Sequence, residues 1–589
     1  MQNTQNIRTV EKFQDSYFAA TDGGLLQLTK EGKLIRHFTV LDGLPESDLL
    51  SLAVFGSELF IGTNTKGLVS FDGKNFSGFQ LKDHETQGIT DLMADDRRLL
   101  IGTFAGGLLE FDGKHFREIK TQDGKRIEGV NCLDRDQDSR LYVGTFADGL
   151  WVAENGNWNQ FTTENGLLSN RVAGIERIGK QLFVGTDLGV MKTNLSDLSH
   201  PSGKLFYQSA DLPTLSGLVK KNDEILLTQD DGSIFTLKDA QNLLTSSSLT
   251  PIDWKKPKNL TNFRPLAVDD KIWFVGTGGI WQTPADISGH LLPTPFGDLT
   301  NRSMPTSNVV SALTLDANSR LWVGNFRRGI DIFSAKGKKL EHLETEVLKE
   351  INFLGPIDKG VLAATSKGAV RFENDLKSSL LSREGELPSN SITHISQKSS
   401  TKNSAEVFST GKGLWLKEGS VSRGFSTLNG LPSNTISTTF FTPNSLLVGT
   451  LGGMAVIENG KVSRVYKGSN SPLKNNWVTS FCPTGSRIFA GTYGGGIYEL
   501  LPSGELRSFE NETGKVFVNP NAMFSNGEKL FVGTLRGAWV LDLKTEKWTR
   551  ITEVLPSEVV LSINGNAENV FFGTTGGIAR INQKFWRSV

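Results

Sequence analysis

The feature that most constrains this chain is an internal repeat of about 42 residues that runs along its whole length. The segment LFIGTNTKGLVSFDGKNF, starting at Leu59, recurs as LLIGTFAGGLLEFDGKHF at Leu99 and as LYVGTFADGLWVAENGNW at Leu141. The Thr of the Gly-Thr pair, or its equivalent, serves as a ruler. It marks Thr21, Thr63, Thr103, Thr145, Thr186, Thr228, Thr277, Asn325, Thr365, Thr410, Thr450, Thr492, Thr534 and Thr574. Fourteen copies share 589 residues. A unit of that size, built from short apolar runs, is the size of one four-stranded propeller blade.

Within residues 90–121, TDLMADD, RRLLIGT, GGLLEFDG and KHFREIKT read as four successive strands separated by Gly, Asp and Asn. The Gly of each Gly-Thr pair falls inside a strand, where a missing side chain lets a neighbouring strand or blade approach. The next glycine supplies the positive φ of a tight second-to-third strand turn. No segment sustains a helical apolar period; LETEVLKEINFL comes nearest, and the register places it across a fourth and a first strand. Propellers commonly have about four to eight blades, so fourteen units predict an all-β chain of two consecutive seven-bladed β-propellers. The two longest steps flank Thr277, and the irregular stretch TPADISGHLLPTPFGDLTNRSMPTS lies between them. The boundary is therefore expected at residues 295/296, giving propellers 1–295 and 296–589. The chain starts on an innermost strand and ends, at INQKFWRSV, on an outermost one. Each ring then closes by side-chain packing, unless a terminal strand crosses to complete a blade elsewhere.

Turns reading DGLPES at Asp42, NGLLSN at Asn165, GELPSN at Gly385 and NGLPSN at Asn429 accompany the LWVGT-like strands and GGL hairpins. This combination resembles the two-component regulator propeller repeat, found in the paired seven-bladed sensor regions of bacterial hybrid two-component systems. The resemblance spans essentially the whole chain. It implies twin propellers, an extracytoplasmic setting and recognition of oligosaccharides. The 589 residues depart from that family's pattern in ending on a blade, without its immunoglobulin-like connector, membrane helix, kinase or DNA-binding module, so signalling by this stretch alone is not expected unless it is an excised ectodomain.

Charge argues against a nucleic-acid partner: 63 Lys and Arg balance 63 Asp and Glu, leaving no field to attract phosphate backbones. Two cysteines, Cys132 and Cys482, cannot form a disulfide framework and read as buried thiols. No run approaches the 18 or so apolar residues of a membrane span, and MQNTQNIRTVEKF has no signal-peptide core. Direct membrane insertion is therefore not expected. The resemblance favours the periplasm or the cell surface, with the cytoplasm left open.

In a propeller blade the fourth-to-first and second-to-third connections emerge together around the channel mouth, the kind of concavity that ligands favour. In the second ring this singles out Asn308, Asn390, Asn434, Asn476, Trp477 and Asn521 at the starts of first strands. Phe326, Arg327, Arg328, Tyr493 and Arg536 join them from the hairpins. The first ring offers Asp48, Asn170, Arg171, Phe104, Phe146, Asp148 and Asp187. Asn amides and aromatic faces suit sugar hydroxyls and pyranose rings. The competing reading is that such an Asn bonds its own turn and needs no ligand. Phe104 and Phe146 could equally plug the channel. Arg327 and Arg328 replace the small residues of other hairpins and read as ligand contacts or as a solvated pair.

Catalytic signatures are lacking. The seven histidines show no HxH or HExxH spacing, and there is no GxSxG or Walker loop. Asp134, Asp136 and Asp138 resemble a calcium loop, but Ser139 stands where Gly is needed, so they read as an acidic turn. No metal and no cofactor is expected. The sequence points to a non-catalytic recognition or scaffold protein binding a partner protein or an oligosaccharide, alone or as a component of a larger assembly. A glycan-sensing periplasmic ectodomain is the alternative, and a polysaccharide lyase or glycosidase the second.

Overall fold

A computed structural model describes the chain except residues 80–87, 137, 200–207, 212–213, 222–223, 238–248, 255, 258–259, 270, 284–289, 292–293, 296–302, 382–386, 388, 399–403 and 583–589. Among the described residues, thirteen antiparallel sheets have four strands, one has three, and a two-stranded pair completes the list of sheets. The unit read at residues 90–121 forms the strands Ile89–Ala94, Leu99–Thr103, Leu108–Phe111 and Phe116–Ile119. The LETEVLKEINFL segment forms a 3-10 turn, Glu346–Leu348, and the first strand Ile351–Ile357.

The chain divides into two compact units, Thr4–Asn301 and Arg302–Val589, the second also holding Met1–Asn3. The expected boundary at 295/296 abuts residues 296–302, which lie outside the described residues. In the first unit the first strands of successive sheets touch in chain order, and Thr261–Val268 returns to Ile7–Phe13. In the second, Val560–Gly565 returns likewise to Val310–Leu315. Both arrangements are closed β-propeller rings of sheets.

Two residues of the repeat explain why each sheet takes this shape. In most copies the ruler Thr is buried and its hydroxyl donates across the hairpin: Thr103 Oγ1 to Gly107 O at 2.7 Å, Thr450 to Gly453 O at 2.9 Å, Thr574 to Gly577 O at 2.9 Å. The preceding glycine receives the next sheet. A Cβ on Gly491 would lie 2.5 Å from Val518 Cγ1, on the first strand of the following sheet. The apolar core accordingly sits between neighbouring sheets, as in the cluster of Phe13, Phe18, Phe38, Leu52, Leu59 and Phe71. Each such side chain removed from water contributes roughly 1.5–3 kcal/mol.

The two rings close differently. In the first, Ile7, Val10 and Tyr17 pack against Val268 and Trp273, so side chains join the ends. In the second, packing of Val310 and Phe333 on Phe571 and Ile578 is reinforced by the start of the chain. Ile578 N donates to Met1 O at 2.8 Å, and Gln2 Nε2 to Gly576 O at 3.0 Å. The chain start thus joins the third strand Gly577–Asn582 of the last sheet. Of the segment expected to end on an outermost strand, Ile581 and Asn582 belong to this third strand, and residues 583–589 lie outside the described residues.

A second tie anchors the beginning of the second unit. Buried Asp331 accepts from Thr306 N and Oγ1, from Asn325 Nδ2 at 2.9 Å, from Lys339 Nζ at 2.6 Å and from His342 Nδ1 at 2.7 Å.

Candidate functional site

The connections named from sequence do meet on one face of each sheet. The residue after the ruler position donates its amide to the residue just before the first strand. Phe104 N bonds Gly88 O, Phe146 N bonds Gly129 O, Phe326 N bonds Val309 O, Leu451 N bonds Thr435 O and Tyr493 N bonds Trp477 O.

In the second unit this pairing assembles an aromatic group. Trp477 and Tyr493 lie 4.5 Å apart between ring centroids at 37°, and Tyr493 meets Phe517 edge-on at 5.1 Å. Trp477 Nε1 donates to Ser437 Oγ at 2.9 Å, which fixes the indole, while Phe517 stays 44% exposed. The two sequence-named rings are therefore joined by a third. Phe517 was legible in principle as the aromatic preceding the strand Val518–Ser525, but its repeat is irregular there.

The asparagines divide by what their amides do. Asn434 Oδ1 accepts from Thr427 N at 2.8 Å, Asn170 Oδ1 from Thr163 N at 2.9 Å and Asn476 Oδ1 from Gly468 N at 2.8 Å. Each oxygen braces the turn, and each Nδ2 has no acceptor among the described residues. These turns include 3-10 segments at Val40–Asp42, Thr163–Asn165 and Thr427–Asn429, each with a reciprocal capping box and a left-handed Gly. Asn390 is exposed, and residues 382–386 and 388 before it lie outside the described ones.

Two asparagines depart from expectation. Asn308 is a correction: it is 5% exposed, with Oδ1 accepting from Asn3 N at 2.6 Å and Nδ2 donating to Asn3 O at 2.8 Å, so its amide clasps the chain start instead of facing a ligand. Asn521 has φ of 61° within the wide bulge between Val518 and Met523, and its Nδ2 donates to Asn352 O at 2.6 Å. Those two strands belong to non-adjacent sheets of one ring, so Asn521 bridges inner strands.

Phe326, Arg327 and Arg328 are all exposed. The Arg327 guanidinium lies 5.3 Å from the Phe326 centroid and 3.9 Å from Glu350. Arg536 is exposed, and its carbonyl accepts from Arg550 Nε at 2.9 Å.

In the first unit Phe104, 54% exposed, meets Phe146 edge-on at 5.5 Å. Asp48 pairs with Arg8 Nη2 at 2.8 Å and accepts from Asn64 Nδ2 at 3.0 Å. Burial nevertheless holds its carboxyl above the ordinary value, against Arg8 and Asn64. Asp22, which the sequence reading did not single out, accepts from Asn6 Nδ2 at 3.3 Å and is pushed up to about 6 by burial. Arg171 and Asp148 are exposed; Asp148 N bonds Thr145 Oγ1 at 2.8 Å. Asp187 carries a buried Oδ1 without a partner among the described residues.

The acidic run is tied into the fold. Asp134 pairs with Arg177 at 2.7 Å, and Asp136 accepts from Tyr142 Oη at 2.9 Å and Arg140 N at 2.8 Å. Cys482 is buried and Cys132 half-buried; burial raises both thiols, Cys482 to about 12.

No protein-family model and no curated protein matches the sequence. Among solved structures the chain is similar to PorZ, described as an essential bacterial surface component of the type-IX secretion system of Porphyromonas gingivalis. The two share 13% identity and a TM-score of 0.68 over 99% of this chain and 86% of that one. It is similar to the GH74 enzyme of Niastella koreensis at 12% identity, TM-score 0.66, over 99% and 98% of the two chains. Similar structures also include the extracellular domain of a protein described as hybrid two-component system BT3049 of B. thetaiotaomicron, at 16% identity and TM-score 0.43 over 100% and 82%. At these identities the likeness to PorZ and to the GH74 enzyme is one of fold alone.

Proposed function

We propose that the chain is a non-catalytic recognition platform of two consecutive seven-bladed β-propellers, and that its C-terminal propeller binds an oligosaccharide at its loop face. The observation that carries this reading is the Trp477–Tyr493–Phe517 group. A pyranose offers a C–H face that packs on aromatic rings, and exposed Asn Nδ2 groups such as those of Asn434 and Asn476 donate to its hydroxyls. The indole is held by Ser437 before any ligand arrives, so little ordering entropy opposes binding. Closed rings leave few free strand edges, and loops can vary without disturbing the core.

A periplasmic or cell-surface setting is part of the proposal. It draws support from the surface description of PorZ and from the resemblance of the repeats to sensor propellers. In that setting the outward face could also engage a partner protein of a larger assembly, through Phe326, Arg327 and Arg328.

One observation favours a second reading. Asp22 and Asp48, both raised by burial and both near Arg8, give a glycosidase a concrete pair of carboxyls, and the fold is shared with a GH74 enzyme. A glycan panel separates the readings. Saturable binding without chain-end release, weakened in Tyr493→Ala, supports recognition. Turnover abolished by Asp22→Asn or Asp48→Asn replaces it with hydrolysis.

A further inference from the structure

The first unit contains a cavity of about 320 Å³ bordered by its inner strands and by the hairpins above them. Its polar lining includes Arg8, Asn131, Asp230, Asn262 and Arg264, and Phe146 supplies an aromatic wall. That volume is at the lower end of the roughly 300–1,000 Å³ typical of small-molecule sites, room for a terminal unit and not for a long chain.

Arg264 is the unusual member. It projects from the strand Thr261–Val268 into space open to water, yet protein surrounds it deeply enough that desolvation lowers its pKa. Its Nε donates to Arg8 O at 2.8 Å. Its two Nη groups have no acceptor, and it forms no ion pair, among the described residues. The nearby Asp91 does not neutralise it by contact. Asp91 gives one oxygen to Leu133 N at 2.8 Å and the other to Leu92 N at 3.0 Å, and burial pushes its carboxyl up to about 6. Arg8 adds like charge but is matched by Asp48. A guanidinium remains charged at any ordinary pH, so this fork faces the cavity as a cation without a bidentate partner.

The other polar groups are of the type that reads hydroxyls. Asn131 lines the cavity and donates Nδ2 to Val172 O at 2.7 Å, which leaves Oδ1 as its acceptor. Asp230 on the hairpin rim and Asn262, held at φ of 47°, have no side-chain partners among the described residues. A carboxylate among the lining groups disfavours a bare inorganic anion, whereas it accepts hydroxyl donors from a polyol.

We infer that this cavity binds a carboxylate-bearing sugar, with the ligand carboxylate on the Arg264 fork and its hydroxyls on Asp230, Asn131 and Asn262. The pairing is bidentate and planar, a geometry that Lys does not reproduce. The inference is independent of the C-terminal aromatic face and holds or fails without it.

The test is isothermal titration of the full-length chain in a Tyr493→Ala background, which removes the other face from the signal. The probes are galacturonate and glucuronate, as monomers and short oligomers, their methyl esters, the matching neutral hexoses, and sodium sulfate and acetate. The expected result is one site per chain for a uronate, with affinity falling at least tenfold on esterification and in Arg264→Met. Arg264→Lys recovers part of that loss, and Asp230→Asn weakens binding several-fold. Retained melting behaviour in Arg264→Met shows that the fold is intact; if it does not fold, the ester and Asp230→Asn decide. Equal binding of neutral hexose overturns the inference. So does unchanged affinity in Arg264→Met, equal binding of sulfate or acetate (an adventitious ion only), or no binding of any probe.

Discussion

Asn308 holds Asn3 by two opposed amide bonds, 2.6 Å from Asn3 N to Oδ1 and 2.8 Å from Nδ2 to Asn3 O. Residues 305 positions apart are thereby joined in the manner of a strand pair, and the last sheet of the second unit gains the chain start as a neighbour. Substitution Asn308→Ala removes both of these bonds to the buried backbone of Asn3, at a cost of about 2–4 kcal/mol to the second unit. Chemical denaturation followed by a probe in that unit, such as Trp322, checks this; loss of less than 0.5 kcal/mol, roughly the noise of a surface change, contradicts it.

Gly573 faces Val310 across the closure of the second ring, where a Cβ would lie 2.6 Å from Val310 Cγ1. Gly573→Ala is expected to destabilise by about 1–3 kcal/mol through overpacking. Val310→Ala opens that space, so the double variant should lose less than the sum of the two single losses. Strict additivity in a double-mutant cycle would mean that the two residues do not meet.

The Asp331 network gives the second unit a definite pH response. The hydrogen bond to Asp331 raises His342 above its ordinary 6.5, against burial. Burial alone would raise Asp331, but bonds from His342 and Lys339 outweigh it and hold the carboxyl below its ordinary value. Since the folded His342 value exceeds the unfolded one, its contribution is complete below 6.5 and fades as pH climbs through the raised value. Asp331 contributes above its ordinary 3.8, and that part fades as pH falls through the depressed value. His394, half-buried beside Phe353 and lowered to about 3 by desolvation, acts in the opposite sense at low pH. Stability measured from pH 6 to 9 should therefore decline in the wild type relative to His342→Gln; parallel curves contradict the assignment.

Trp477 should report ligand directly. Its indole is packed on Tyr493 and tethered to Ser437, so stacking of a sugar changes its emission without moving the backbone. Ser437→Ala frees the tether and is expected to weaken binding by several-fold while changing the melting temperature little, because a single part-buried hydrogen bond is worth about 0.5–1.5 kcal/mol.

The sheet architecture was legible because the repeat states it fourteen times over. In most copies the ruler Thr and its glycine neighbours occupy the same buried roles in one hairpin, so one copy predicts another. Loop chemistry was less legible. Asn308 and Asn434 look alike in sequence, one following Thr-Ser and the other Pro-Ser, yet the Asn308 amide meets the chain start from far away while the Asn434 side chain accepts within its own turn. No local pattern encodes a partner 305 residues distant. Phe517 and Asp22 escaped notice for a related reason: each becomes significant only through residues on another strand, Tyr493 for one and Asn6 with Arg8 for the other. Arg264 lies in an inner strand whose neighbours read as ordinary sheet, and only ring closure places it over a cavity.

The most direct examination of the proposed function is a titration of the intact protein with oligosaccharides, following Trp emission and free reducing ends in the same samples. Recognition at the C-terminal face predicts a saturable change in emission, at least tenfold weaker in Tyr493→Ala, and no new reducing ends. Steady release of reducing ends, or an emission response unaltered by Tyr493→Ala, would contradict it.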